Sequence, residues 1–540
     1  MHGSTFGSTS GTIGSSGRVA ARAFLVVALA LLPLMVTVSP DFGVTWDEKI
    51  RQKNGEVVWD YWAGRLPRAH FEQDGQGYSL YGGLFDVVCV GVQHVLPGVD
   101  RYVVRHAIGA SLGWLTIVLA GLIARRLFGP ATGLLTMVLL ALSPRFVAHS
   151  MNNPKDIPFA ACATLALYFI VTIPPRYPFL TPGLAARLAG AIALGINVRA
   201  GALISVFYLG VAVAFRTLAA RELAVRRVAA SAAWLAAITL AALLLGTLTW
   251  PWALSRPIVG PIRALTALSE FDWGGALLFK GENISARALP LDYVPTWFAI
   301  TTPLVVLAGV VLSLRCLRLP PRGRPAAAAG LWGVVLFPVV MVVARGSTLY
   351  DEIRHLLFLY PPLVVLSAAG WHSLATAPGR LVRQVAVAGL VLGCLEPAVF
   401  QMRNHPNQVV YFNALVGGPA GAFGRYEMDY WGNCVLQAVE WSADLARRSR
   451  YPLIVSGQPE HVVQFDMFRF RSIAFSPQRR GRHHLDVRLL RGPADAVSAE
   501  AARPDILHRV ETADGAPLCL VVPGPRFGEV HSRLVWAPAR

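Results

Sequence analysis

Residues 103–148 read VVRHAIGASLGWLTIVLAGLIARRLFGPATGLLTMVLLALSPRFVA. Two apolar runs, 103–124 and 131–148, each come close to the roughly 20 residues a helix needs to cross a bilayer, and a short turn carrying Arg125 and Arg126 joins them. Arginines crowded into a short connection belong on the cytoplasmic side. The pattern extends in both directions: apolar stretches at 22–39, 157–174, 184–198, 200–216, 229–249, 295–314, 327–344, 355–371 and 382–399 bring the expectation to about eleven crossings. The connections alternate in character. One set is short and basic, with Arg18/Arg22, Arg176/Arg187, Arg216/Arg221/Arg226/Arg227, Arg315/Arg318/Arg322/Arg324 and Arg380/Arg383. The other set, 40–102, 149–156, the turn from Asn197 to Arg199, 250–294, 345–354 and everything after 400, holds most of the Asp, Glu, His and Trp between spans and belongs outside.

Composition agrees. Of 540 residues, 54% are apolar and 15% charged, with a formal charge of +18, and the mean hydropathy is +0.49. Soluble domains carry about a quarter charged residues, so a cytosolic enzyme, a disordered regulator and a disulfide-stapled secreted module are excluded. The basic excess sits between apolar runs, and no nucleic-acid motif accompanies it. The first span reads as a retained helix because Val38-Ser39-Pro40-Asp41 offers no small-x-small cleavage site. The run Leu80 to Leu96 is interrupted by Asp86, Gln93 and His94. Counting it as a span would send every later Arg cluster outside, so a helix lying at the outer interface is expected. Residues 1–21 form an expected disordered cytoplasmic tail, 22–400 a membrane domain, and 401–540 a small α/β outer domain. Cys89, Cys162, Cys316 and Cys394 read as core residues, whereas pairing of Cys434 with Cys519 stays open.

Candidate chemistry gathers on the outer side. Asp47 and Glu48 follow the first span, and a partly desolvated carboxylate there can act as a general base or meet developing positive charge; alone, the pair also fits solvated loop acids. The loop 149–156 concentrates His149, Asn152, Asn153, Lys155 and Asp156 at a membrane boundary, where ionisable groups are functional candidates. A simple helix start, with Asp156 ahead of Pro158, would look similar. Arg199 runs against the positive-inside bias, which suits an anion ligand or a snorkelling side chain. Arg354 and His355 open a span in Tyr350-Asp-Glu-Ile-Arg354-His355, and Lys280 lies in the long loop 250–294. His70, Glu72 and Asp74 resemble a metal cluster but lack a partner His at helical spacing.

Together these residues resemble the polyprenyl-phosphate-dependent, C-type membrane glycosyltransferases, specifically the protein O-mannosyltransferase-like branch (family 39) and its bacterial aminoarabinose transferase relatives. The matching features are Asp47-Glu48, the run Leu122-Ile-Ala-Arg-Arg-Leu-Phe-Gly129, Ala141-Leu-Ser-Pro-Arg-Phe146 followed by Asp156, and Arg354-His-Leu-Leu-Phe358, which span roughly residues 20–370. The resemblance implies an inverting glycosyltransferase of the inner (plasma) membrane, with its N-terminus cytoplasmic and its C-terminal domain outside. Asp47 and Asp156 take the acid positions, with Glu48 as neighbour. It implies a polyprenyl-phosphate sugar and an acceptor that is a glycan, lipid or protein. Lys155, Arg199, Lys280 and Arg354 are the candidate phosphate ligands, and His149, Asn152, Asn153 and His355 the candidate pocket. No metal is demanded, though a divalent cation is compatible. Tyr411-Phe-Asn413 and Asp429-Tyr-Trp-Gly432 depart from the branches with known substrates. The competing readings are a transporter or lipid-linked-sugar flippase, which would show repeats and broken helices with mid-membrane polar groups, and a membrane sensor.

Overall fold

The computed structural model describes residues 15–73, 80–271, 273–318 and 324–536. All eleven predicted segments are helical, but they are not eleven equal spans. Among the described residues seven helices are long and apolar enough to cross a membrane: Gly17–Asp41, Arg101–Phe128, Ala200–Ala219, Val225–Leu245, Arg324–Ala344, Arg354–Ala375 and Arg380–Arg403. Asp156–Val171 and Pro182–Ile196 are shorter, at 16 and 15 residues.

The remaining two break in the middle, which corrects the expectation of straight crossings. Pro130–Ala141 and Pro144–Asn152 meet at 70°, and Tyr293–Thr301 and Leu304–Leu317 at 116°. Each break has proline chemistry behind it. Pro144 and Pro303 lack an N–H, and their rings push the preceding residue out of the α region; Ser143 has ψ 100° and Thr302 ψ 133°. The expected loop 149–156 is therefore mostly helix, and its arm carries His149 and Asn152 back into the protein.

Arg354–Ala375 is the central helix, with 83% of its apolar window buried, whereas Arg380–Arg403, with 11% buried, turns Leu392, Leu395 and Met402 outward. The close packing of Arg354–Ala375 depends on a small residue: a Cβ on Gly370 would lie 2.0 Å from the carbonyl oxygen of Gly309. Between the first two membrane-length helices, Glu48–Trp62 packs on Leu84–Val95. The latter is only 12 residues long, and its buried Asp86 meets Arg51 at 2.5 Å and Arg105 at 2.9 Å.

Past the last long helix, Asn413 fills the second break, donating to the carbonyls of Ala299 and Thr302 at 2.6 and 2.7 Å. A hairpin pairs β1 (Ala276–Phe279) with β2 (Glu282–Ser285). The C-terminal sheet contains β3 (Leu453–Gln458), β4 (Ile473–Phe475), β5 (Leu485–Leu489), β6 (His508–Glu511) and β7 (Pro517–Pro523) in the order β4-β3-β5-β7-β6. β3 is parallel to β4 and β5, and β7 is antiparallel to β5 and β6. The helix Val435–Ser449 covers the sheet, and Cys434 is bonded to Cys519 on β7.

Candidate active site

The first loop is tied down before it delivers Asp47. Glu48 accepts hydrogen bonds from the Thr45 amide at 2.8 Å and hydroxyl at 3.2 Å, a reach-back that stabilises the start of the helix Glu48–Trp62. On its other side Glu48 meets His106 at 3.1 Å and Arg105 at 4.0 Å. It is 1% exposed, so it faces the bundle and anchors the turn while Asp47 points the other way, 22% of its side chain remaining accessible.

The second acid comes from the break after Ala141. The helix cap expected of Asp156 belongs to Asn153, whose side-chain oxygen accepts the amides of Lys155 and Asp156 at 3.1 and 2.9 Å. Its NH2 faces Asp156 and His149, each at 3.0 Å. Asp156 is thereby free for cations. Arg199 sits after a turn pinned by Asn197, which donates to the Leu245 carbonyl at 2.8 Å and accepts from the Thr249 amide at 2.9 Å. It turns inward to Asp156 at 2.9 Å rather than snorkelling.

Arg354 joins the two acids. One Nη lies 3.6 Å from Asp47 and 3.4 Å from Asp156, and the other lies 3.1 Å from Asp351. Its guanidinium lies over the rings of Tyr350 and Trp431, at 4.8 and 4.9 Å from their centres. Lys155 pairs with Asp47 at 2.8 Å and leans on Tyr81. Burial works to raise the Asp47 carboxyl, but Lys155 and Arg354 outweigh it and hold the pKa at about 2. The same pairing keeps Lys155 charged, above its ordinary range despite burial.

The remaining candidates divide. His149 belongs to a network behind the cluster: it meets Glu352 at 3.2 Å and the Tyr430 hydroxyl at 3.1 Å. Asn152 holds the first loop through the Gly43 carbonyl at 3.0 Å. His355 stands edge-on to Tyr350, ring centres 4.7 Å apart. Lys280 lies apart, in an exposed turn paired with Asp292, because the hairpin carries it there. Asp74 and the Glu72 side chain lie outside the described residues. Among the described residues no three His, Cys, Asp or Glu side chains gather as a metal site would require.

Sequence reasoning missed Asp351, Glu352, Tyr430 and Arg491 as parts of one site. Glu352 is clamped by Arg145, His149 and Tyr430. Burial favours its neutral acid, but these partners hold it below the usual carboxyl range. Asp351 and Glu352 have φ of +54° and +59°, two successive non-glycine residues in the left-handed region. Such backbone persists only where surroundings over-determine it.

Residues 98–250 match the model of the dolichyl-phosphate-mannose-protein mannosyltransferase family. The resemblance drawn from the sequence is thus met over that segment. It contains Lys155, Asp156 and Arg199 and leaves Asp47 and Arg354 outside. No curated protein matches the chain. Among solved structures, ArnT from Cupriavidus metallidurans bound to undecaprenyl phosphate is similar at 15% identity, over 94% of this chain and 98% of that one, with a TM-score of 0.48. The oligosaccharyltransferase AglB from Archaeoglobus fulgidus is similar at 10% identity, over 86% and 69%, TM-score 0.43. The arabinofuranosyltransferase AftD from Mycobacteria is similar at 16% identity, over 93% and 40%, TM-score 0.43.

Proposed function

We propose that this chain is an integral-membrane glycosyltransferase that moves a sugar from a polyprenyl-phosphate donor to an acceptor hydroxyl at the outer face, with inversion. The observation that carries this reading is the convergence of Asp47 and Asp156 with Lys155, Arg199 and Arg354 at the mouth of an apolar bundle. Apolar helices suit a prenyl chain, and cationic side chains suit a lipid phosphate. The family match over residues 98–250 supports the same class. The disulfide Cys434–Cys519 supports an outer C-terminal domain, since such bonds persist in oxidising compartments.

In the proposed step the acceptor oxygen attacks the anomeric carbon, its proton passes to Asp47, and the bond from that carbon to the phosphate oxygen breaks. Polyprenyl phosphate leaves with the electron pair, its charge met by Lys155 and Arg354, while Asp156, itself paired with Arg199, holds Arg354. A carboxylate held at about 2 is a weak base. The incoming phosphate competes for Lys155 and Arg354, and each cation it takes from Asp47 makes that carboxylate more basic. No metal is called on in this step. The test is Asp47→Asn in the full chain. Transfer should fall by about 10²-fold or more, with the chain still folded and donor binding retained; near-wild-type transfer would end the assignment. In a deletion strain, mass spectrometry of polyprenyl-phosphate sugars and envelope glycans identifies donor and acceptor.

A further inference from the structure

The C-terminal domain grips the first outer loop at several points. Arg469 donates to the Pro40 carbonyl at 2.9 Å, Asp466 accepts the Val44 amide at 3.1 Å, and Asn433 accepts the Gly43 amide at 3.0 Å. One side chain goes further. Arg491, just past β5, reaches Asp351 at 2.5 Å, donates to the Tyr430 carbonyl at 3.0 Å and stands 5.7 Å from the ring of Trp46, the neighbour of Asp47.

We infer that Arg491 is a positioning residue that acts through Asp351 to set the Arg354 guanidinium between Asp47 and Asp156, so that the C-terminal domain completes the active site. This rests on the glycosyltransferase reading above. The distances carry it. Asp351 is shared by two cations, Arg491 at 2.5 Å and Arg354 at 3.1 Å. Arg354 is in turn shared by three carboxylates, with Asp156 and Asp47 slightly farther at 3.4 and 3.6 Å. Without Arg491 the whole charge of Asp351 would fall on Arg354 and draw it off the two acids. Glu427, 3.9 Å from Arg491, is the weaker partner for that cation and does not draw it off Asp351. Burial and the nearby Asp351 push its pKa to about 8, so it is mostly protonated at neutral pH. The left-handed backbone at Asp351 and Glu352 adds a second reason. It is held on one side by Arg491 and on the other by Arg145 and Tyr430, and removing one hold lets the strain relax.

The experiment compares Arg491→Ala, Arg491→Lys and Arg491→Ala/Asp351→Asn with wild type, each as the full chain in lipid nanodiscs. Transfer is measured with the polyprenyl-phosphate sugar found to be the donor, and folding is checked by thermal midpoint and by the intact disulfide. Arg491→Ala should lower kcat at least about tenfold, because misplacement of about an ångström is enough for that; Arg491→Lys should recover part of it. The decisive outcome is the double variant. Neutralising Asp351 removes the pull on Arg354, so the double variant should exceed Arg491→Ala by about fivefold or more, which loss of a merely structural contact would not produce. A folded Arg491→Ala with wild-type kcat, or a double variant no better than the single, overturns the inference. If Asp47→Asn retains transfer while the Arg491 series behaves as described, the base assignment fails and the positioning role stands.

Discussion

Arg354 Nη1 stands 3.4 Å from Asp156 Oδ2, and the same nitrogen lies 3.6 Å from Asp47 Oδ2. One buried guanidinium is therefore the shared counter-ion of two acids from separate parts of the chain. Removing one partner of a buried ionic cluster typically costs about 3–5 kcal/mol because the others lose their compensation. Arg354→Gln should accordingly lower both thermal stability and transfer. Arg354→Lys keeps the charge but not the planar fork that faces several carboxylates at once. It should remain folded and lose about tenfold or more in kcat/KM, measured by transfer assays alongside a melting curve. Full activity in Arg354→Lys would mean that charge alone suffices.

As the proposed base, Asp47 should give the reaction a pH signature. Its pKa of about 2 lies below the ordinary carboxyl value, so its pairing contributes stability above the ordinary value that is lost as pH falls toward 2. In the free protein its protonation should not limit activity across the measurable range. In the donor complex, competition for Lys155 and Arg354 raises its pKa. The acid limb of kcat should therefore lie at higher pH than that of kcat/KM. Lys155→Met, which removes the pairing at 2.8 Å, should move the kcat/KM limb upward as well. Coincident limbs in the wild type would count against release of the base by the phosphate.

The membrane-length helices were legible in the sequence because apolar run length answers to the bilayer directly. Asp47, Lys155, Asp156, Arg199 and Arg354 were legible because ionisable groups at a membrane edge are costly without a purpose. Two things were hidden. The breaks at Ser143 and Thr302 lie inside apolar runs, and only the following prolines signalled them. The association of Asp351 with Arg491, 140 residues apart, depends on tertiary placement that no local pattern encodes. Lys280 shows the converse: a suitable residue in a suitable loop, taken elsewhere by a hairpin.

The disulfide closes a loop of 85 residues, and a cross-link of that length is worth on the order of 4 kcal/mol in the chain-entropy account. Cys434 directly follows the loop that carries Tyr430 and Trp431 to Glu352, His149 and Arg354, and Asp429 braces that loop by accepting the Cys434 amide at 2.7 Å. Cys434→Ser or treatment with reductant should lower the melting temperature, and should lower transfer before global unfolding. The check is to follow activity and melting across a reductant series; unchanged values in both would show that the bond braces nothing at the site.

Asp466 supplies the last expectation. It is fully buried, accepts the Val44 amide through one oxygen, and has no hydrogen-bond partner for the other. Burial pushes its pKa up to about 8, against the pull of Arg469 and the Val44 amide. A carboxyl whose folded pKa is raised binds its proton more tightly in the folded state, so the protein loses stability as pH rises from the ordinary carboxyl range to about 8 and loses no more above it. Asp466→Asn keeps an acceptor for Val44 and cannot ionise. Its melting temperature should match wild type near pH 4 and exceed it increasingly up to pH 8. Melting curves of the full chain in detergent across that range test this. A variant less stable than wild type at pH 8 would show that Asp466 is ionised and held by Arg469 where it touches the first loop.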